Sequence, residues 1–114
     1  MLSYSAHEAE GVLILTVEDP GPDQYSTTQR EWLYTTIETR EDPRFIIDLG
    51  ALTYLGSSDI GLLVTLKRRV DARKGKIVLV NVDPFIIDVL RTMRIDRLFP
   101  MAADMPSAFA TLSA

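Results

Sequence analysis

The side chains best placed to do chemistry are two adjacent serines in the segment Gly56-Ser57-Ser58-Asp59-Ile60-Gly61. This segment lies between an apolar run and a stretch with helical spacing. Backbone N–H groups at the start of a helix lack partners within it and carry partial positive charge, so they favour an anion, including a phosphate carried by a serine. Serine is also a preferred N-cap residue. The segment alone therefore leaves two interpretations open, a simple helix cap and a binding turn.

The elements around the serines follow from hydrophobic spacing and from turn residues. Strands are predicted over residues 3–8, 12–17, 45–49, 76–80 and 97–100. Helices are predicted from residue 26 to before Pro43, from Ser58 to near Gly75, after Asp83-Pro84, and over 104–112. The buried faces of the second and third helices are expected to comprise Leu62, Leu63, Leu66 and Val70, and Ile86, Ile87, Leu90 and Met93.

Strands that alternate with helices predict an α/β fold with right-handed crossovers. The expected architecture is a mixed, mostly parallel sheet of four to five strands with about four helices. A chain of 114 residues suits a single domain over 1–114.

Composition excludes several classes of function. The net charge of -4 argues against nucleic acid as a partner, because that affinity rests on neutralising phosphates. Without cysteine there is no disulfide or thiolate chemistry. The only histidine is His7, so we expect no metal and no cofactor. The apolar runs are too short for a membrane span and no signal peptide is visible, which predicts a cytoplasmic protein.

Two catalytic alternatives use residues outside the serine pair. Asp48 could be the phosphoacceptor of a receiver domain with Glu18 and Asp19 as metal ligands. Ser58, His7 and Asp48 could formally make a hydrolytic triad. The chain has neither the Gly-x-Ser-x-Gly elbow nor a glycine-rich phosphate loop, so we expect no enzymatic activity. Asp48 is expected to hydrogen-bond loop backbone instead, and the basic cluster around Lys67 to be a solvent-exposed helix face.

Residues 45–66 resemble the signature of the STAS family. That signature is an apolar strand that ends in Asp-Leu, a short loop with an aromatic or apolar residue, and then Asp-Ser-Ser-Gly-Leu-Gly at the start of a helix. The resemblance continues through residues 76–81, the helix after Pro84 and residues 94–99. It implies a STAS-like fold and a regulatory protein.

The resemblance further implies an anti-sigma factor antagonist of bacterial partner switching. Such a protein binds an anti-sigma factor that is a serine kinase, and a phosphatase reverses the phosphorylation. The phosphoacceptor, the second serine of the pair, corresponds to Ser58. The implied partner-binding residues are Gly56, Ser57, Ser58, Asp59 and Gly61 at the turn, with Asp23, Tyr25 and Lys67 flanking it.

Two positions depart from the family pattern. Gly56 stands where the family has an acid, and Asp59 stands where it has a glycine. An acid beside Ser58 bears on its phosphorylation more than on the fold. The alternative is a STAS module that does not switch, either a scaffold of a sensory assembly or a soluble subunit of a lipid-transport ABC system.

Overall fold

The computed structural model describes the backbone of residues 3–18 and 27–113, and the side chains of residues 5–17, 31–56 and 59–113. The strands are β1 (Ser3–Ala9), β2 (Val12–Glu18), β3 (Arg44–Asp48), β4 (Lys76–Val80) and β5 (Met101–Ala102). The helices are α1 (Thr27–Glu38), α2 (Ser57–Ala72), α3 (Pro84–Thr92) and α4 (Met105–Ser113), with a 3-10 turn at Asp96–Leu98.

The strands form one sheet in the order β1-β2-β3-β4-β5. β1 and β2 are antiparallel, and every later pair is parallel. The β1–β2 connection consists of Glu10 and Gly11, whose φ angles of 53° and 78° are those of the turn that suits a two-residue hairpin. The predicted mixed, mostly parallel sheet with four helices is confirmed.

Alternate residues of the central strands point to opposite faces of the sheet, and each face has its own core. One face is covered by α1, α2 and α3, with Leu13, Leu15, Phe45, Ile47, Ile77 and Leu79 from the strands. The other face is covered by α4 through Ala108 and Leu112, which pack against Val12, Ile14, Ile46, Val78 and Val80. The continuously apolar strands are explained by this double coverage.

The C-terminal part of the chain differs from the prediction. The strand predicted over 97–100 is wrong, because Asp96–Leu98 form a 3-10 turn and the last strand is Met101–Ala102. The apolar Phe99 that suggested a strand is buried as an anchor between the two elements. Met93 is likewise not part of a buried face: it follows the last residue of α3 and is 49% exposed.

The end of α2 also differs in detail from a simple glycine cap. The helix ends at Ala72, and the left-handed position after it is Lys74, with a φ of 59°. Gly75 serves another purpose, since a Cβ atom there would lie 2.1 Å from the carbonyl oxygen of Pro43. Glycine at this position lets the chain entering β4 pass close to the chain entering β3.

Candidate functional site

The loop from β3 to α2 is held in place by buried leucines and by hydrogen bonds to Asp48. Leu49, Leu52 and Leu55 are each at most 4% exposed. Asp48 Oδ1 accepts hydrogen bonds from the Gly50 N–H at 2.9 Å and from Asn81 Nδ2 at 3.2 Å. The predicted structural role of Asp48 is confirmed, and its carboxylate joins the ends of the two central strands beside α2.

The helix begins one residue before the serine that was expected to open it. Gly56 is the N-cap, with φ -78° and ψ 166°, so Ser57 and Ser58 are the first two residues of α2. The interpretation of a serine as the helix cap is therefore wrong. The Gly56 carbonyl accepts from the Ile60 N–H at 3.0 Å, which closes the first helical turn. Both serines consequently lie where helix N–H groups are free of intrahelical partners.

Asp59 replaces the missing cap side chain from the third helical position. Its Oδ2 accepts a hydrogen bond from the Gly56 N–H at 3.1 Å, which is one half of a capping box. A Cβ atom at residue 56 would lie 3.2 Å from the same oxygen. A side chain at residue 56 would thus make a tight contact with the Asp59 carboxylate, so the two departures from the family pattern are physically coupled.

Gly61 is exposed on α2, and no atom lies within 4 Å of the position that a Cβ would take. Glycine inside a helix costs roughly 0.5–1 kcal/mol relative to alanine. The fold does not need this glycine. Its effect is that no side chain covers the helix backbone at this position, one turn after the serines.

Tyr54 is a candidate binding residue that the sequence did not single out. Its side chain is 66% exposed, while Leu52 and Leu55 on either side are buried. A Cβ at Gly56 would come within 4.0 Å of the Tyr54 ring, so the tyrosine borders the helix start. The sequence signal for this residue is an aromatic side chain between Leu52 and Leu55 in a loop. Phe85, 58% exposed at the start of α3, lies at the same edge of the sheet.

The structure does not bring Lys67 to this turn. Lys67 follows Ser58 by nine residues, about two and a half helical turns, which puts it on the opposite side of α2. Its Nζ forms an ion pair with Asp71 at 2.7 Å. The two flanking residues predicted before the first helix, Asp23 and Tyr25, lie outside the described residues.

The catalytic alternatives find no support in the arrangement. His7 is exposed on the edge strand β1, two strands from β3 and two residues out of register with Asp48, so the two backbones are about 12 Å apart. A receiver domain has the strand order 2-1-3-4-5, which differs from the order here. Among the side chains of residues 5–17, 31–56 and 59–113, no three histidine or acidic groups are placed to hold a metal ion.

None of the helices in the described part of the chain combines the length and apolar character needed to cross a bilayer. The same fold is found in solved structures. An anti-sigma-factor antagonist (STAS) domain protein of Planctomyces limnophilus matches with a TM-score of 0.81 and 20% identity over 97% of this chain and 98% of that one. The anti-sigma factor antagonist SpoIIAA, in its unphosphorylated form, gives 0.75 and 16% over 98% of both chains. A chain of the stressosome, a signal integration and transduction hub, gives 0.79 and 20% over 96% of both.

No curated protein sequence matches this chain significantly. At 16–20% identity, the structural likeness establishes the fold alone. The model of the STAS domain, in contrast, matches the sequence itself over residues 3–108, a range that includes the whole sheet, the serine pair and the first three helices. The chain belongs to the STAS domain family.

Proposed function

We propose that this STAS domain is an anti-sigma factor antagonist that acts by binding, in the cytoplasm, and catalyses no reaction. Its partner would be an anti-sigma factor with serine kinase activity. The contact would be the α2 surface, which we define as Tyr54 together with residues 56–61. The observation that carries the proposal is Gly61, an exposed helix glycine that the fold does not require. A bare backbone beside an exposed tyrosine suits close approach by a protein, and tyrosine is enriched at interface hot spots.

Ser58 is the proposed phosphoacceptor, and a phosphatase would reverse the modification. As the second residue of α2 it lies where the helix dipole and unpaired N–H groups stabilise a phosphate. The added charge of roughly -1.5 to -2 would then leave the domain folded while opposing a partner shaped for a neutral hydroxyl. In support, the structurally similar SpoIIAA of Bacillus occurs in an unphosphorylated and a phosphorylated form.

Substitution of the bare glycine separates binding from folding. Gly61→Ala is expected to raise the melting temperature by about 2–5 °C, because it removes the conformational cost of glycine. It should weaken binding to an anti-sigma kinase of the same host at least about tenfold, or about 1.4 kcal/mol, measured by isothermal titration calorimetry. Arg68→Ala, at an exposed position further along α2, is the matched control and should bind normally. Unchanged affinity of Gly61→Ala would remove the α2 surface from the interface.

Phosphorylation is tested with the same kinase and ATP. Mass spectrometry should find one phosphate on wild type and on Ser57→Ala, and none on Ser58→Ala. Phosphate on Ser58→Ala would refute the assignment of the acceptor. The mass of the protein from its own host, with and without phosphatase treatment, shows whether the modification occurs in the cell.

Asp59 favours a second candidate, a STAS module that does not switch. It places a fixed carboxylate 3.1 Å from the Gly56 nitrogen, at the helix end that would otherwise attract a phosphate. Such a module would be a scaffold of a sensory assembly or a soluble subunit of a lipid transporter. The structural similarity of this chain to a stressosome chain is consistent with a role as a scaffold of a sensory assembly.

Two observations distinguish the candidates. For a module that does not switch, Ser58→Asp should leave partner binding within about twofold, a difference that corresponds to less than 0.5 kcal/mol. Affinity purification should then recover assembly or transporter subunits rather than a kinase. For the antagonist, Ser58→Asp should abolish binding of the kinase.

A further inference from the structure

A cleft lined by arginines lies apart from the α2 surface. Its volume is about 510 Å³, and its lining residues are Arg91, Arg94, Asp96 and Arg97. α3 starts beside the carboxyl end of β4 and runs back toward the amino ends of the parallel strands. The cleft is at the far end of α3, so a ligand there would leave the α2 surface free.

The positive charge of this cleft is largely uncompensated. Arg91 faces Asp88 at 3.6 Å, in a pair whose side chains are 67% and 71% exposed and which therefore contributes little. Arg94 and Arg97 form no ion pair with any residue of the described ranges. Three guanidinium groups against the single carboxylate of Asp96 give the lining a charge of +2, in a chain whose net charge is -4.

The backbone at Arg94 shows that an arginine is present where the fold favours glycine. Its φ is 61°, and the Ile95 N–H donates to the Leu90 carbonyl at 3.0 Å, as in the motif that ends a helix with a left-handed residue. Glycine adopts this conformation at no steric cost. Arg94, which lines the cleft, therefore has a backbone conformation that favours glycine. Lys74 holds the equivalent position after α2, with a φ of 59°, and provides an internal comparison.

We propose that the cleft binds a phosphate-bearing ligand. Guanidinium groups match phosphate oxygens with paired N–H donors, and three of them surround one cavity. The volume falls within the range of about 300–1,000 Å³ that is typical of ligand sites. Asp96 opposes the anion and limits its affinity. This site is independent of the proposed antagonist function, which uses the other end of the sheet.

The strain at Arg94 allows a test in which binding and stability change in opposite directions, so that loss of binding cannot result from unfolding. Inorganic pyrophosphate, titrated into ¹⁵N-labelled protein at low ionic strength, should shift the amide signals of residues 91–97. Arg94→Gly should raise the melting temperature by about 2–5 °C and still weaken this binding at least fivefold. Lys74→Gly removes the same charge and the same strain elsewhere, and it should be equally stabilised with unchanged binding.

A second pair of variants tests the sign of the electrostatic effect. Asp96→Asn should tighten pyrophosphate binding severalfold, because it raises the lining charge from +2 to +3, and Arg97→Gln should weaken it. Flotation with phosphatidylcholine vesicles, with and without phosphatidic acid, whose negative charge attracts basic residues, separates a lipid headgroup from a free phosphate as the source. Absence of binding to both probes, or equal losses in Arg94→Gly and Lys74→Gly, would overturn the proposal.

Discussion

At Gly56 and Asp59 the chain has exchanged the acid and the glycine that the STAS pattern carries around its serine pair. The carboxylate is kept at the start of α2, but it reaches the N-cap backbone from the third helical position. A second carboxylate at residue 56 would meet the first one, since even a Cβ there would lie 3.2 Å from Asp59 Oδ2. The exchange therefore preserves one negative charge at the helix start and avoids two.

A double-mutant cycle measures this coupling. Gly56→Asp alone should destabilise the fold through crowding and charge repulsion, and Asp59→Gly alone should lose the capping hydrogen bond. The double variant should be more stable than the sum of the two changes predicts, with a coupling of about 0.5–3 kcal/mol in urea unfolding. Additive effects would show that the two sites are independent. In kinase assays, the double variant should also be phosphorylated faster than wild type.

The sequence located the serine pair but not the details around it. Helix periodicity placed the start of α2 within one residue, because buried leucines follow the pair at helical spacing. The N-cap was missed because it is defined by the backbone angles of Gly56. Where several small residues are adjacent, the sequence does not show which of them is the cap. Tyr54 was missed because its exposure follows from the burial of Leu52 and Leu55 in the folded loop.

Helix α2 uses its basic residues to hold the end of α1. Arg69 pairs with Glu38 at 2.6 Å and lies over the Tyr34 ring at 3.9 Å. Arg73 donates from Nε and from an Nη atom to the Arg40 carbonyl, at 3.1 and 2.8 Å. The predicted solvent-exposed basic face is thus partly a set of intramolecular contacts. Sequence spacing along α2 could not reveal partners that lie more than 30 residues away.

Gly61 inside α2 and Gly75 just after it should respond oppositely to substitution by alanine. Gly75→Ala should lower the free energy of unfolding by about 1–3 kcal/mol, because its Cβ would lie 2.1 Å from the Pro43 carbonyl oxygen and β3 or β4 would have to move. Gly61→Ala should raise it by about 0.5–1 kcal/mol. Urea unfolding of both variants checks the pair. A stable Gly75→Ala protein would contradict the close approach of these two segments.

The start of α4 should make a pH-dependent contribution to stability. The side chain and backbone N–H of Ser107 hydrogen-bond the Asp104 carboxylate and lower its pKa from 3.8. A lowered pKa in the folded state stabilises the fold above the unfolded value, and this contribution is lost as the pH falls through the folded value. Asp104→Asn removes it. The urea midpoints of wild type and Asp104→Asn should therefore differ more at pH 6 than at a pH below the folded pKa; a pH-independent difference would contradict this.

The molecule as a whole is unequally covered, with three helices on one face of the sheet and α4 alone on the other. Leu112 belongs to the core that α4 alone covers among the described helices. Leu112→Ala should therefore lower the free energy of unfolding by about 2–5 kcal/mol. Thr111→Ala, exposed on the same helix, should change stability by at most about 0.5 kcal/mol. Denaturant unfolding of both variants measures the contrast. A small loss for Leu112→Ala would show that the second core is dispensable.

The overall topology was predictable from the sequence because the central strands are continuously apolar and separated by helical runs. β2, β3 and β4 and the helices after them lie within a few residues of their predicted positions. β5 was not predictable at its true place, because a two-residue strand has no measurable alternation. Its position depends on the backbone hydrogen bond that the Leu79 N–H donates to the Pro100 carbonyl, which exists only once the sheet has formed.

The shared space of Gly56 and Asp59 also restricts how such a sequence can evolve. Two orders of substitution connect the acid-first family pattern with the acid-last pattern of this chain. One passes through acids at both positions, which the 3.2 Å approach of Asp59 Oδ2 makes crowded and repulsive. The other passes through glycines at both positions and loses only a hydrogen bond. We expect natural relatives intermediate between the two patterns to carry Gly-Ser-Ser-Gly rather than Asp-Ser-Ser-Asp.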